Sequence, residues 1–160
     1  MKNLWYYSIK RNRGAKAKLI VFLYYLGSGL RRKSKPLYFL YRPIYLLLTD
    51  YILGVEIPLS TNIGPGLRIY HGRGIVINAY STLGKDVTLY HNVTIGSTGI
   101  ESQPDGLPKV GNNVIVYCNS TIIGPVTVGD NAIIGAHNLV IKNMKKNSKL
   151  FAPTTSTSRL

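Results

Sequence analysis

From Ile57 to Val140 an aliphatic residue recurs every six positions. The anchors run Ile57, Ile63, Ile69, then Ile77, Leu83, Leu89, Ile95, then Val110, Val116, Ile122, Val128, Ile134 and Val140. Glycine tends to follow an anchor, as at Gly64, Gly84, Gly96, Gly111, Gly129 and Gly135. Four positions after an anchor stands a small, aliphatic or β-branched residue: Leu67, Ser81, Val87, Val93, Val114, Ser120, Val126, Ala132. That pattern is the hexapeptide repeat of a parallel β-helix. Each hexapeptide gives a short strand and a turn, three close a triangular coil, and coils stack about 4.8 Å apart through ladder hydrogen bonds. One repeat cannot bury its anchor, whereas a stack makes a continuous apolar column. The expected fold class is mainly β: a left-handed parallel β-helix preceded by a short helical segment.

The rhythm breaks twice. Between Ile69 and Ile77 two extra residues enter within "YHGRGIV", and between Ile95 and Val110 nine extra residues enter within "STGIESQPDGLPK". Insertions in a solenoid become loops, and loops on a rigid scaffold are where binding groups stand. Gly72 and Gly74 permit the backbone of a tight bulge, so His71 is expected to project from the stack. With three hexapeptides per coil, His71 and His91 become neighbours in one column, which Cys118 and Ala136 continue if the long loop does not change the count. Glu56 lies on the same face one coil earlier, where a carboxylate could orient an imidazole and stabilise its cation. His137 has no evident partner and reads as structural. Cys118 reads as a coil residue, and one cysteine excludes an intramolecular disulfide framework.

Charge divides the chain. Residues 1–49 carry eleven of the twenty Lys and Arg and no Asp or Glu, whereas 50–160 carry nine basic and six acidic residues. The expected domains are a basic, aromatic, helical segment over 1–54 and a β-helix over 55–160 with a protruding loop near 98–109. The first holds Trp5, eight tyrosines and two apolar runs, "LIVFLYYL" and "LYFLYRPIYLLL", the second interrupted by Arg42-Pro43. Both are shorter than the roughly 20 apolar residues a bilayer demands. Two readings remain open for it: a segment lying on an anionic membrane surface, where each Lys or Arg is worth about 1 kcal/mol, or a helical pair packed on its own protein. Its aromatics sit within aliphatic runs, so nucleic acid is not an expected partner. No secretion signal is evident, and the expected location is cytoplasmic, with peripheral attachment to the inner membrane face if the first reading holds.

The run "VEIPLSTNIGPGLRIYHGRGIVINAYSTLGKDVTLYHNVTIGST" resembles the left-handed β-helix acetyltransferases of the serine acetyltransferase type, especially their relatives that O-acetylate bacterial surface polysaccharides. The resemblance covers about residues 55–145. It implies homotrimers with active sites between subunits, acetyl-CoA as co-substrate and no metal. It implies His71 as catalytic base, with Glu56 as acidic partner where the family usually has Asp. "TIGST" matches the thioester-side segment, which makes Gly96, Ser97 and Thr98 candidate cofactor contacts. Gly135 and Ala136 match a site where small residues admit the pantetheine arm. His91, Arg73 and Leu107 are candidate substrate-side residues. Leu107 in "DGLPKV" stands where serine acetyltransferases carry a second histidine, and "LFAPTTSTSRL" departs from the family's closing segment.

The reaction expected is O-acetyl transfer with His71 taking the hydroxyl proton, since neutral histidine suits that role near its reference pKa of about 6.5. Leu107 cannot hydrogen-bond an amino acid's polar groups, which directs the expectation toward a sugar or polysaccharide-precursor hydroxyl, with a lipid-linked acceptor suggested by the basic segment. Serine O-acetylation is the alternative, and a non-catalytic β-helix scaffold the second. A zinc hydratase on this fold would need three convergent histidines, and His137 lies off the His71 column.

Overall fold

The computed structural model describes residues 4–99 and 106–151. Three helices come first: α1 (Leu4–Arg11), α2 (Ala15–Lys33) and α3 (Lys35–Leu46), the last widening into a π-helical stretch over Leu47–Leu53. Fourteen short strands follow: β1 (Val55–Glu56), β2 (Asn62–Ile63), β3 (Arg68–Ile69), β4 (Ile75–Ile77), β5 (Thr82–Leu83), β6 (Thr88–Leu89), β7 (Thr94–Gly96), β8 (Lys109–Val110), β9 (Ile115–Val116), β10 (Thr121–Ile123), β11 (Thr127–Val128), β12 (Ile133–Ile134), β13 (Leu139–Val140) and β14 (Lys149–Leu150). Up to β13 every third strand joins the same parallel sheet, giving faces β1-β4-β7-β10-β13, β2-β5-β8-β11 and β3-β6-β9-β12; β14 then joins the third face beside β12, because the second face continues there only as a single bridge between Val128 and Met144. This is the expected left-handed parallel β-helix with N-terminal helices. The long insertion leaves the count intact, because β7 lies on the first face and β8 on the second.

All thirteen anchors are buried, as are the eight residues four positions later. The corners explain the asparagines. Asn92, Asn119 and His137 all have left-handed backbone, as do Asn113, Asn131 and Asn147 along a second corner. Asparagine tolerates that conformation better than other non-glycine residues. Its amide also continues the stack: Asn113 Nδ2 donates to Asn131 Oδ1 at 3.2 Å, and Asn131 Nδ2 to Asn147 Oδ1 at 2.9 Å. Asn92 bonds Asn119 at 3.0 Å, and Asn119 meets His137 Nε2 at 3.2 Å, so the structural role expected of His137 is that of a ladder member.

The first coil has no coil beneath it, and α1–α3 supply the missing partners. Tyr45 Oη donates to the Ile57 carbonyl, Tyr24 Oη to Thr61 and Tyr25 Oη to Gly64, each at 2.6 Å. Asn12, 1% exposed, imitates a strand: its Oδ1 accepts from Ile69 N at 2.8 Å and its Nδ2 donates to the Leu67 carbonyl at 2.9 Å. Arg11 bonds the Gly66 carbonyl and pairs with Asp86. Of the two readings open for this segment, the described residues show it packed on its own protein, with Tyr24 and Tyr45 as buried donors to the coil. The Arg42-Pro43 pair does not interrupt the second run; Pro43 sits inside α3. Proline removes a single helical N–H, and packing on one face carries the helix past it. Leu37, Phe39, Leu40 and Ile44 on α3 remain exposed, and no helix among the described residues is long and apolar enough to cross a membrane.

Two outcomes test this capping. Tyr45→Phe strands the buried Ile57 carbonyl and is expected to cost about 1–3 kcal/mol in urea unfolding, whereas Tyr51→Phe, at a site 83% exposed, should stay within about 0.5 kcal/mol of the parent. Burial also holds the Tyr41 phenol up at about 12 and pushes those of Tyr24 and Tyr45 further up. A raised phenol favours the folded state below the unfolded value near pH 10 and loses that advantage as pH climbs through the folded value. The urea midpoint should therefore be unaffected by these phenols below about pH 9.5 and fall steeply between about pH 10 and 12.

Candidate active site

The bulge after β3 carries His71 out of the stack. His71 is exposed and has φ 53°, a conformation uncommon outside glycine though less so for asparagine, aspartate and histidine than for other residues. Two neighbours hold it there. Gly72 is pressed beneath α2, where a Cβ would lie 2.7 Å from Ile20 Cδ1. Gly74, at φ 64°, takes the ladder place that Asn92 fills in the next coil, and a Cβ on it would lie 2.1 Å from Asn92 Oδ1. Its N–H donates to the Gly54 carbonyl at 2.7 Å, and the Arg73 carbonyl accepts from Asn92 N at 2.9 Å. The stack thus closes above and below the two inserted residues.

The predicted column forms. His71 and His91 meet edge to face with ring centroids 5.8 Å apart, and the β6-β9 and β9-β12 registers carry it on to Cys118 and Ala136. His91 Nδ1 is buried without a hydrogen-bond partner. A cavity of about 410 Å³ opens beside the pair, lined by Lys16, His71, Arg73, His91 and Asn92. An adjoining cavity of about 420 Å³ has His71 and Lys16 in its wall together with Arg13, Arg68, Tyr70 and Gly72.

The other expected residues are more dispersed. Glu56 is exposed and pairs in register with Val76 one coil later, on the face entered after the His71 corner. It lines a separate cavity of about 330 Å³ with Arg42, Asp50 and Ser60, and no hydrogen bond joins it to His71. Gly96, Ser97 and Thr98 close β7 at the far end of that face, where the long loop departs. Gly96 is open, with nothing within 4 Å of a built Cβ. Gly135 and Ala136 share the His71 corner further along the stack, but Phe151 lies against Gly135, with its Cδ1 2.6 Å from a built Cβ. Leu107 is 2% exposed and therefore a packing residue, while part of the loop before it, 100–105, falls outside the described residues. Among the described residues no group of three or more His, Cys, Asp or Glu gathers as a metal site would require.

Two features escaped the sequence reading. Lys16 and Arg13 reach the site from the start of α2, and nothing local in "KRNRGAKAK" places them opposite His71. Beside the column Tyr70, Tyr90 and Tyr117 stack at 4.7 and 4.8 Å, with the Arg68 guanidinium 4.7 Å from the Tyr70 ring centroid. The spacing of coils suits ring stacking, and burial followed by the flanking phenols pushes the Tyr90 hydroxyl up. A tyrosine directly after three successive anchors of one face was the available signal.

A three-faced β-helix built on a six-residue period, with a histidine thrust from its corner beside a basic cavity, is the architecture of a hexapeptide-repeat protein, and its relatives place it among the transferases. The model for bacterial transferase hexapeptide (six repeats) matches residues 108–142. A serine acetyltransferase of Helicobacter pylori is 37% identical over 125 residues, spanning 78% of this chain and 71% of that protein. The chain accordingly belongs to the serine acetyltransferase family. Isoform 3 of serine acetyltransferase from Entamoeba histolytica, solved with cysteine, superposes with a TM-score of 0.82 at 20% identity, covering 99% of this chain. The soybean enzyme complexed with serine does so at 0.73 with 27% identity, covering 85% of this chain. The chain spans 60% of the length of the Entamoeba protein and 54% of the soybean one.

These relatives correct the expected acceptor. All three are serine acetyltransferases, so the sugar-hydroxyl reading is overturned in favour of its alternative. Leu107 misled because its side chain is packed inside the protein, where it says nothing about the acceptor.

The bulge geometry has its own test. In Gly74→Ala the new methyl meets Asn92 Oδ1 and the φ of 64° is strained. The expected loss is about 1–3 kcal/mol in urea unfolding, whereas Gly14→Ala, with open space around its Cβ, should lose less than about 1 kcal/mol.

Proposed function

We propose that this chain transfers the acetyl group of acetyl-CoA to the hydroxyl of serine, with His71 as general base. The observation that carries this reading is the projecting imidazole of His71 at the mouth of a cavity, in a chain 37% identical to a serine acetyltransferase. A serine hydroxyl is a weak nucleophile and the thioester an activated acyl donor, so proton removal at the moment of attack is the main catalytic demand. His71 takes the hydroxyl proton as the oxygen attacks the thioester carbonyl, the C–S bond breaks, and the same imidazole returns the proton to the departing thiolate. No acetyl-enzyme intermediate is needed. Glu56, which has no hydrogen bond to His71, is assigned to steady the imidazolium through its charge alone, and backbone N–H groups around Gly96, Ser97 and Thr98 to stabilise the oxyanion.

A homotrimer fits this assignment. His71 and the Gly96–Thr98 segment stand at opposite ends of one face of a single chain, and apposed coils could bring one subunit's histidine to a neighbour's thioester segment. Gly135 and Ala136 would then border the pantetheine arm, with Phe151 moving aside.

The direct experiment is thiol release from acetyl-CoA with L-serine. Activity is expected in the parent, and His71→Ala should lower kcat/KM by about 100-fold or more. Unchanged turnover in that variant would remove the assignment of the base. Glu56→Gln is expected to lower kcat by about 10-fold with little change in the KM for serine, and sedimentation should give the mass of three chains.

A further inference from the structure

The cavity at His71 has an unbalanced electrostatic make-up. Lys16 and Arg73 border one part of it, and Arg13 and Arg68 line the adjoining part, while no carboxylate borders either. Among the described residues the ion pair recorded is Arg11 with Asp86, so these four cations have no acidic partner in the fold. Burial, and after it the neighbouring Arg73 charge, push the Lys16 ammonium down. Arg68 lays its guanidinium over Tyr70, and its Nε is buried without a partner.

The helix adds to this field. α2 begins beside the cavity at Gly14, which offers no side-chain cap, and its first turn holds no acidic residue. The positive end of a 19-residue helix is thus left without the carboxylate that commonly answers it. His91 contributes a further unpartnered ring nitrogen. Like-charge crowding works against folding, and a bound anion would relieve it.

We propose that Lys16 and Arg73 form a receiving site for the carboxylate of the acceptor, holding the amino acid so that its hydroxyl meets His71. This rests on the assignment of serine as acceptor. In serine the hydroxyl and the carboxylate sit on adjacent carbons, and His71 and the two cations line one cavity, so a single small molecule can engage both. The N-terminal segment thereby has a second use: besides capping the first coil it delivers a substrate-binding cation. Arg13 and the start of α2 strengthen the same field from the adjoining cavity. The phosphates of CoA carry related chemistry, and the experiment separates the two sources.

Lys16→Gln and Arg73→Gln are compared with Lys18→Gln, an exposed lysine outside both cavities. Each cavity variant is expected to raise the KM for L-serine about 10-fold, with kcat within about threefold of the parent, because a charged contact common to ground and transition states has been removed. The KM for L-serinamide, which lacks the carboxylate and keeps the ammonium, should not rise, nor should that for acetyl-CoA. An unchanged serine KM, or equal rises for serine and serinamide, overturns the proposal. A rise confined to acetyl-CoA overturns it too and assigns the cations to CoA phosphate.

Thermal-shift titration reads the site without turnover. Acetate and L-serine should raise Tm in the parent and in Lys18→Gln but not in the cavity variants, and serinamide should leave all of them unmoved. If the parent does not acetylate serine yet shows the carboxylate-dependent shift, the assigned function fails and the anion site stands. Turnover of serine without discrimination against serinamide gives the reverse.

Discussion

A parallel solenoid has an exposed edge at its first coil, and this fold depends on how that edge is answered. Every later coil donates to and accepts from the one before it, but the first presents carbonyls and N–H groups with nothing beneath. Buried and unpaired, each would cost about 1–3 kcal/mol. Here Asn12, Tyr24, Tyr25 and Tyr45 bond four of those carbonyls and Asn12 one N–H. The helices are thus oriented by specific hydrogen bonds as well as by apolar contact. One consequence is positional: with Asn12 locked to Leu67 and Ile69, the chain must turn at Gly14 and start α2 within reach of His71.

The second constraint is the coil spacing. Side chains that stack at a fixed interval must be alike or mutually accommodating, which accounts for the anchors, the asparagine corners and the tyrosine stack with one geometric rule. Departures from likeness occur where the ladder is interrupted. Gly74 stands where asparagine would otherwise continue a corner, and Gly135 follows Tyr117 in the tyrosine column and meets Phe151 instead. The His71 bulge lies next to the first of these, so the candidate chemistry sits at a local relaxation of the repeat.

The repeat and everything that depends on counting were legible in the sequence. The three faces and the contact of His71 with His91 follow from anchors in phase, whereas the neutral effect of the long insertion on register was a condition that the structure met. Relations across unlike elements were not legible. Composition could not choose between the two readings of residues 1–54, because it records an aromatic beside cations without recording which carbonyl its hydroxyl meets. Lys16 was hidden for the same reason: its place opposite His71 is fixed by Asn12 and Gly72, through contacts that span more than fifty residues. The acceptor was misjudged because Leu107 was given a side-chain role at a site where it is buried. A residue type can argue for or against a substrate only once its side chain is known to face one.

The conformation of His71 ties the capping helices to the candidate site. A histidine held in left-handed backbone stores about 1 kcal/mol or more, and it persists only where its surroundings fix both flanks. One flank is Gly72 beneath Ile20 of α2, and the other is Gly74 bonded to the Gly54 carbonyl at the end of the π-helical stretch. Both restraints come from the N-terminal segment or its junction with the first coil. The coil alone would leave those two inserted residues free to relax. The segment that satisfies the open edge therefore also orients the imidazole and brings Lys16 toward it, so folding and site geometry draw on the same contacts.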